Sequence, residues 1–229
     1  MNKPVDFMTE LIEKKNLTSD VLFLSFKIPA SFTFKAGQYV MLKMELNGVV
    51  RWKSYSILNP PSKKGVIDLC VKIIEGGFAS AVFVKLKKGD SLLMKGPIGL
   101  FVFDEFEQEH WFIGAGTGIT PLYSMIMEYL PKFPQKKFKL IFGVRTKSTL
   151  LFHDEFEKLA REYNNFEYVP TLSQENWEGK IGRVQKHLGE DLQGKIFYVC
   201  GLKELVLETK ELLVSKGVVP AKVRFERYN

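Results

Sequence analysis

Two hydrophobic periods divide the chain. Through residues 5–107 apolar and polar residues alternate in short runs, the period-2 signature of half-buried strands. The runs at 21–28, 38–44 and 66–74 are the clearest, rich in β-branched and aromatic residues, and Asn47-Gly48 between two such runs is a tight hairpin signal. So many short strands close together predict a closed or nearly closed antiparallel barrel. From Trp111 onward the pattern becomes strand, helix, strand, helix. A helix follows Pro121, then come a strand at 138–144, a helix at 151–163, a strand at 166–170 and a helix around 184–188. A strand at 196–200, a helix at 202–216 and a strand at 222–228 complete the chain. Such alternation predicts a parallel, doubly wound sheet. The expected architecture is therefore β plus α/β, with one domain at 1–107, a second at 108–229, and the acidic segment 104–109 as the boundary. No internal repeat or low-complexity segment interrupts either half.

The sharpest local feature opens the second half. The apolar run at Trp111 leads into Gly114, Gly116 and Gly118, then Thr120, Pro121 and a helical pattern. Alternate glycines let a backbone turn sharply and approach a ligand, and Thr120 as N-cap with Pro121 at the first helical position opens a helix whose N–H groups favour an anion. The third glycine comes one residue too early for G-x-G-x-x-G, and the Gly-Lys-Ser/Thr ending of a P-loop is absent. A strand-to-helix turn with no ligand is the plain alternative.

Composition narrows the chemistry. The 229 residues are 45% hydrophobic and 13% aromatic, enough for two modest cores and unlike a disordered chain. Cys70 and Cys200 lie far apart within strand-like runs, so neither a disulfide framework nor a four-cysteine cluster can be built. His110, His153 and His187 are scattered without metal spacing. Hydrolase and metalloenzyme motifs are lacking, and any redox cofactor is expected to be organic. The formal charge is +7; residues 1–107 carry 15 basic and 11 acidic side chains, so +4 lies there and +3 in the remainder. With no basic run or nucleic-acid motif, this spread charge suits an acidic protein partner or an anionic cofactor better than a nucleic acid, and a solvated surface about as well. The polar N-terminus and strand-length apolar runs give no sign of a leader or membrane span, so a cytoplasmic protein is expected.

Further motifs follow in order: Phe34, Gly37, Gln38, Tyr39 and Val40; then Lys53-Ser54-Tyr55-Ser56; then Gly76-Gly77-Phe78-Ala79-Ser80; then Gly96-Pro97-Ile98-Gly99-Leu100-Phe101; then Tyr198-Val199-Cys200-Gly201; and finally Glu226, Arg227 and Tyr228 before Asn229. Read singly, these are turns, a connecting loop, ordinary strand residues and a core cysteine. Taken together, and with the glycine loop read as G-x-G-T-G-I-x-P, the chain resembles the ferredoxin–NADP reductase superfamily over almost its whole length. Two departures are plain. Lys53 stands where the family has arginine, with Arg51 two residues earlier, and Leu202 and Leu205 replace the proline and methionine that usually follow Cys-Gly.

The resemblance implies FAD, with FMN the less expected flavin, and NAD(P)H. It implies Tyr55 against the flavin ring, Ser56 near its N5 atom, and Lys53 or Arg51 at its phosphate. Gly76, Gly77, Phe78, Ala79 and Ser80 would face the flavin phosphates. Gly116, Thr117, Gly118 and Pro121 would lie along the nicotinamide nucleotide, with Cys200 and Gly201 near the nicotinamide and Tyr228 stacked on the flavin. Arg145, about 20 residues beyond the glycine loop, suits a 2′-phosphate. The pair Ser173-Gln174 stands where NADP binders often carry Ser-Arg, with Lys180 and Arg183 nearby, so NADH and NADPH both stay open. The implied activity is hydride transfer from NAD(P)H to FAD, then electron transfer to a separate acceptor such as ferredoxin or flavodoxin, since no cysteines remain for an attached iron–sulfur domain. Release of free reduced flavin and service as an electron-transfer subunit are the alternatives.

Overall fold

A computed structural model describes residues 3–228; Asn229 of the terminal motif lies outside them. The chain forms two compact units. The first runs to Val102 and includes Tyr123–Glu128; the second comprises Phe103–Leu122 and the chain from Tyr129 onward.

The first unit is one antiparallel sheet of β1 (Val5–Thr18), β2 (Val21–Lys27), β3 (Tyr39–Leu46), β4 (Val49–Ser56), β5 (Val66–Lys72) and β6 (Ser91–Ile98), in the order β4-β3-β6-β1-β2-β5. The edge strands β4 and β5 also come into contact, so the sheet curls almost into the expected barrel, although no hydrogen-bonded ladder joins these edges among the described residues. Alternating inward residues, among them Leu24, Phe26, Val40, Leu42, Met44, Ile67 and Leu69, fill the curl. Asn47 and Gly48 both take positive φ, as a two-residue hairpin requires. One helix, α1 (Phe78–Lys85), buries Val82 and Phe83. Its C-terminal carbonyls are satisfied from β1, where the Lys14 ammonium donates to Phe83, Val84 and Leu86 oxygens at 2.8, 2.8 and 2.9 Å.

The turn at Phe34–Val40 is an internal lock. Gln38 is buried, takes a hydrogen bond from the Lys35 amide at 2.8 Å and donates to the Gly99 carbonyl at 3.2 Å. Gly37 has φ of 95°, and a Cβ there would stand 2.1 Å from the Phe101 carbonyl oxygen and 2.3 Å from Met125 Cε. Gly37→Ala combines left-handed strain with overpacking against backbone, and is expected to cost about 3 kcal/mol. Urea unfolding checks this, and a loss below ~1 kcal/mol would contradict the packing described.

The second unit is a six-stranded parallel sheet ordered β10-β9-β8-β7-β11-β12: β7 (Glu109–Ala115), β8 (Lys137–Val144), β9 (Phe166–Leu172), β10 (Lys180–Ile181), β11 (Ile196–Leu202) and β12 (Val223–Tyr228). The helices are α2 (Ile119–Tyr129), α3 (His153–Glu162) and α4 (Lys203–Ser215). The segment expected as a helix around 184–188 is only a 3₁₀ turn, Val184–His187. Near-continuous burial of Phe112, Ile113, Leu140, Ile141, Phe197 and Val199 reflects a sheet covered on both faces. The acidic segment is held by this unit: the Asp104 amide donates to the Tyr198 hydroxyl at 2.8 Å, Arg224 meets Asp104 at 2.5 Å, and Lys222 pairs with Glu107.

Candidate functional site

The chain winds outward from β7 to β8 and β9, then returns to place β11 on the other side of β7. The topological switch point therefore lies between β7 and β11, and in such sheets ligands bind beyond the carboxyl ends of the strands at that point. The glycine loop is there. Gly114 pairs with Cys200 across the two strands, and a Cβ on Gly118 would stand 2.3 Å from the Cys200 carbonyl oxygen and 2.8 Å from Gly201 Cα. Gly114, Gly118, Cys200 and Gly201 are thus packed backbone to backbone, and no side chain fits at Gly118. Gly116 differs: its φ is 53°, and nothing lies within 4 Å of where its Cβ would be. That open side, next to a helix start, has the room and donor chemistry for a pyrophosphate.

The helix start is not as the sequence suggested. Gly116–Gly118 close a 3₁₀ turn, the Ile119 amide already bonds back to Gly116 and Thr117, and α2 begins at Ile119. Thr120 is consequently no N-cap. It lies inside the first turn, its hydroxyl donating to the Thr117 carbonyl at 2.8 Å, and Pro121 is the third helical residue, where a missing N–H still costs nothing. The tight turn absorbs residues that an extended loop would have left outside.

Cys200 is completely buried. Burial pushes its thiol well up, the Glu226 carboxylate adds to this, and a hydrogen bond with Tyr228 works against it. The thiol stays protonated, so it is not a nucleophile. Glu226 faces Cys200 in the β11–β12 ladder, and Tyr228 faces Leu202. Glu226 belongs to the terminal motif but is given no site role by the sequence; the signal for one is the register of two parallel strands, which the Glu-x-Tyr ending hints at only once β12 is known to lie beside β11.

Arg145, Ser173 and Gln174 come together at the carboxyl ends of β8 and β9, with Ser173 N–H bonded to the Val144 carbonyl at 2.9 Å and Gln174 N–H to that of Arg145 at 3.0 Å. Arg183 does not stand free beside them: it pairs with Glu208 at 3.2 Å.

In the first unit the strand period sets Arg51, Lys53 and Tyr55 on one face of β4. The Tyr55 ring meets Phe83 edge-on at 5.1 Å, and burial pushes its hydroxyl up to about 12, so it presents a neutral aromatic face. Ser56 is buried at the strand end. Gly76 has φ of 69° with open space at its Cβ position, and Gly77 is the N-cap of α1 with no side chain capping it. Ser80 accepts the Ile74 amide at 2.8 Å, holding the Gly-Gly turn against the helix. The Arg51 guanidinium lies 4.9 Å over the Phe78 ring, which brings the only arginine of β4 to the uncapped start of α1. Phe78, Ala79 and Ser80 supply the first helical amides there, a set of donors suited to a diphosphate. Among the described residues no group of three or more His, Cys, Asp or Glu could hold a metal, and no helix is long and apolar enough to cross a membrane.

Comparison with known proteins divides the chain in the same sense. Residues 8–103 match the family model described as oxidoreductase FAD-binding domain, and residues 112–211 match oxidoreductase NAD-binding domain. The chain is 34% identical to ferredoxin–NADP reductase B of Sorangium cellulosum, over 97% of this chain and 98% of that protein. It is 31% identical to the reductase component of phenol 2-monooxygenase of Pseudomonas sp. strain CF600, over 93% of this chain and only 63% of that longer protein. Among solved structures, the cytochrome P450 reductase GcoB of Amycolatopsis matches with a TM-score of 0.89 and 26% identity, over 98% of this chain and 70% of that one.

Proposed function

Because the chain belongs to the ferredoxin–NADP reductase family of NAD(P)H-dependent flavoprotein oxidoreductases, we propose that it passes electrons from NAD(P)H through FAD to a separate, acidic electron-transfer protein such as ferredoxin or flavodoxin. The bound cofactors supply the redox chemistry, a hydride moving from reduced nicotinamide to flavin. The residues of the chain bind, orient and exclude water. Tyr55 offers its flat neutral ring to the flavin, and Ser56 a buried hydroxyl. The Gly76–Ser80 turn takes the flavin diphosphate on helix amides, and Arg51, stationed over Phe78, supplies the charge, with Lys53 as an additional point charge and not a bidentate fork. Gly116 and Thr117 take the nucleotide pyrophosphate. Cys200, as a neutral thiol, and Gly201 form an uncharged wall against the nicotinamide, and Tyr228 anchors that wall through its hydrogen bond.

The observation that carries this reading is the packing of Gly114 and Gly118 on Cys200 at the switch point, with the open side of Gly116 beside it. The purified protein is expected to be yellow and to bleach anaerobically on addition of reduced nicotinamide nucleotide. An added acidic ferredoxin should speed reoxidation, and raising ionic strength should weaken that effect. A colourless protein that takes up no FAD would sink the reading; reoxidation insensitive to salt would remove the acidic partner alone.

A further inference from the structure

The parallel sheet of the second unit ends in β10 on one side and β12 on the other. β10 is two residues long, too short to template another strand. β12 is different: its six residues pair with β11 in one uninterrupted register, with neither proline nor bulge. In the first unit the edge strands β4 and β5 come into contact. Among the described residues β12 is therefore the long, regular edge, and such an edge is a template for a strand of another chain. The flank of α4 beside it is partly apolar. Lys203, Leu207, Lys210 and Val214 share one stripe of α4 at helical spacing, and the Lys210 ammonium lies 4.8 Å over the Phe225 ring, which sets this stripe next to β12. Leu207, Val214 and Phe225 are all exposed.

Charge decides which strand fits. Residues that face each other in an antiparallel ladder either both exchange hydrogen bonds or both do not, so a twofold axis between two copies of β12 must set one residue opposite itself. With Arg224 or Arg227 on the axis, arginine faces arginine; with Glu226, glutamate faces glutamate; with Val223, Arg224 faces Lys222. Phe225 on the axis sets ring opposite ring and opposes Arg224 to Glu226 twice. Arg224 already meets Asp104 at 2.5 Å, and a guanidinium has donors enough for both carboxylates. The charges that ordinarily keep an edge strand single are thus self-complementary in one register. We propose that this protein is a twofold dimer in which β12 pairs antiparallel with β12 of a second copy. Phe225 lies on the axis, and the two α4 helices come side by side along Leu207 and Val214.

Sedimentation velocity of the FAD-loaded full chain over a range of concentrations tests this, and a monomer–dimer equilibrium is expected. Phe225→Cys should cross-link the two copies under mild oxidation, because a residue on the axis faces itself at a Cβ spacing of about 5 Å; the native Cys70 and Cys200 are buried. Glu226→Arg and Arg224→Glu should each weaken the dimer about tenfold or more, since each turns two attractive pairs into two repulsive ones. Mixing these two variants should restore it, because the arginines of one then face the glutamates of the other, a rescue that misfolded chains would not give. A protein still monomeric at about 0.1 mM, a dimer that both charge variants leave intact, or a Phe225→Cys dimer that does not cross-link would each overturn the proposal. None of these outcomes touches the assignment of the flavin and the nucleotide, which FAD uptake and bleaching test separately.

Discussion

Gly118→Ala is expected to lower kcat/KM for nucleotide-driven bleaching of the flavin about a hundredfold, while FAD content stays at the wild-type level. The added methyl carbon would stand 2.3 Å from the Cys200 carbonyl oxygen and 2.6 Å from its carbonyl carbon. Neither atom is the end of a flexible side chain. Both belong to β11, which is laddered to β7 on one side and β12 on the other, so the glycine turn must yield. A displacement of roughly 1 Å in a positioning element is enough for such a loss, and the turn carries Gly116 and Thr117 with it. Flavin retention depends on the first unit and should be untouched. Gly116→Ala separates strain from collision: with open space around its Cβ and φ of 53°, it should cost only about 1 kcal/mol of backbone strain. Stopped-flow bleaching under anaerobic conditions measures both. A Gly118→Ala protein within threefold of wild type would show that the contact with Cys200 does not set the loop's position.

What could be read from the chain before its structure was known follows from the range of the interactions involved. Alternation of period 2 and the later strand–helix alternation are local, and they are sufficient for two architectures in sequence. Gly37, Gly48 and Gly76 announce turns because only glycine or asparagine accepts their φ values readily. The start of α2 differs from the expectation because Thr-Pro is a good local opening signal, yet Gly116, Thr117 and Gly118 close a 3₁₀ turn before it. The 184–188 segment has a helical pattern, but it lies between Gly182 and Gly189, both at positive φ, and closes only one 3₁₀ turn. The pairs that matter at the site are distant in sequence: Cys200 with Glu226 and Arg51 with Phe78. Each depends on strand order or on the position of a helix, which no single window of sequence contains. For the same reason Arg183 looked available as a phosphate ligand, whereas α4 supplies Glu208 to pair with it.

Between pH 7.5 and 4.5 the protein is expected to lose about 2.5 kcal/mol of stability through one histidine. His110 is fully buried, with its ring stacked 4.2 Å from Phe103 and 5.4 Å from Phe138. Its Nε2 lies 3.0 Å from the Glu107 carbonyl; a carbonyl can only accept, so the proton sits on Nε2 and Nδ1 keeps a bare lone pair. That Nδ1 is buried without a hydrogen-bond partner among the described residues. Protonating it would put a charge and an unmatched donor into an aromatic stack. Burial accordingly lowers the His110 pKa to about 4; Lys136 pushes the same way, while the Glu107 carbonyl and the Glu107 and Asp104 carboxylates oppose it. An unfolded histidine titrates near 6.5, so between that value and about 4 the unfolded chain binds the proton and the folded one does not. Stability from this group is therefore complete above pH 6.5 and drains away as pH falls towards 4. Carboxylates and the other histidines titrate over part of the same interval, so the comparison is with His110→Phe, which keeps a ring in the stack and removes the titration. Urea unfolding at the two pH values should show the wild type losing about 2.5 kcal/mol more than the variant. Equal losses in the two proteins would mean that the stack opens to water before the ring is charged, and that the clasp of Phe103 and the acidic segment over His110 is looser than the packing indicates.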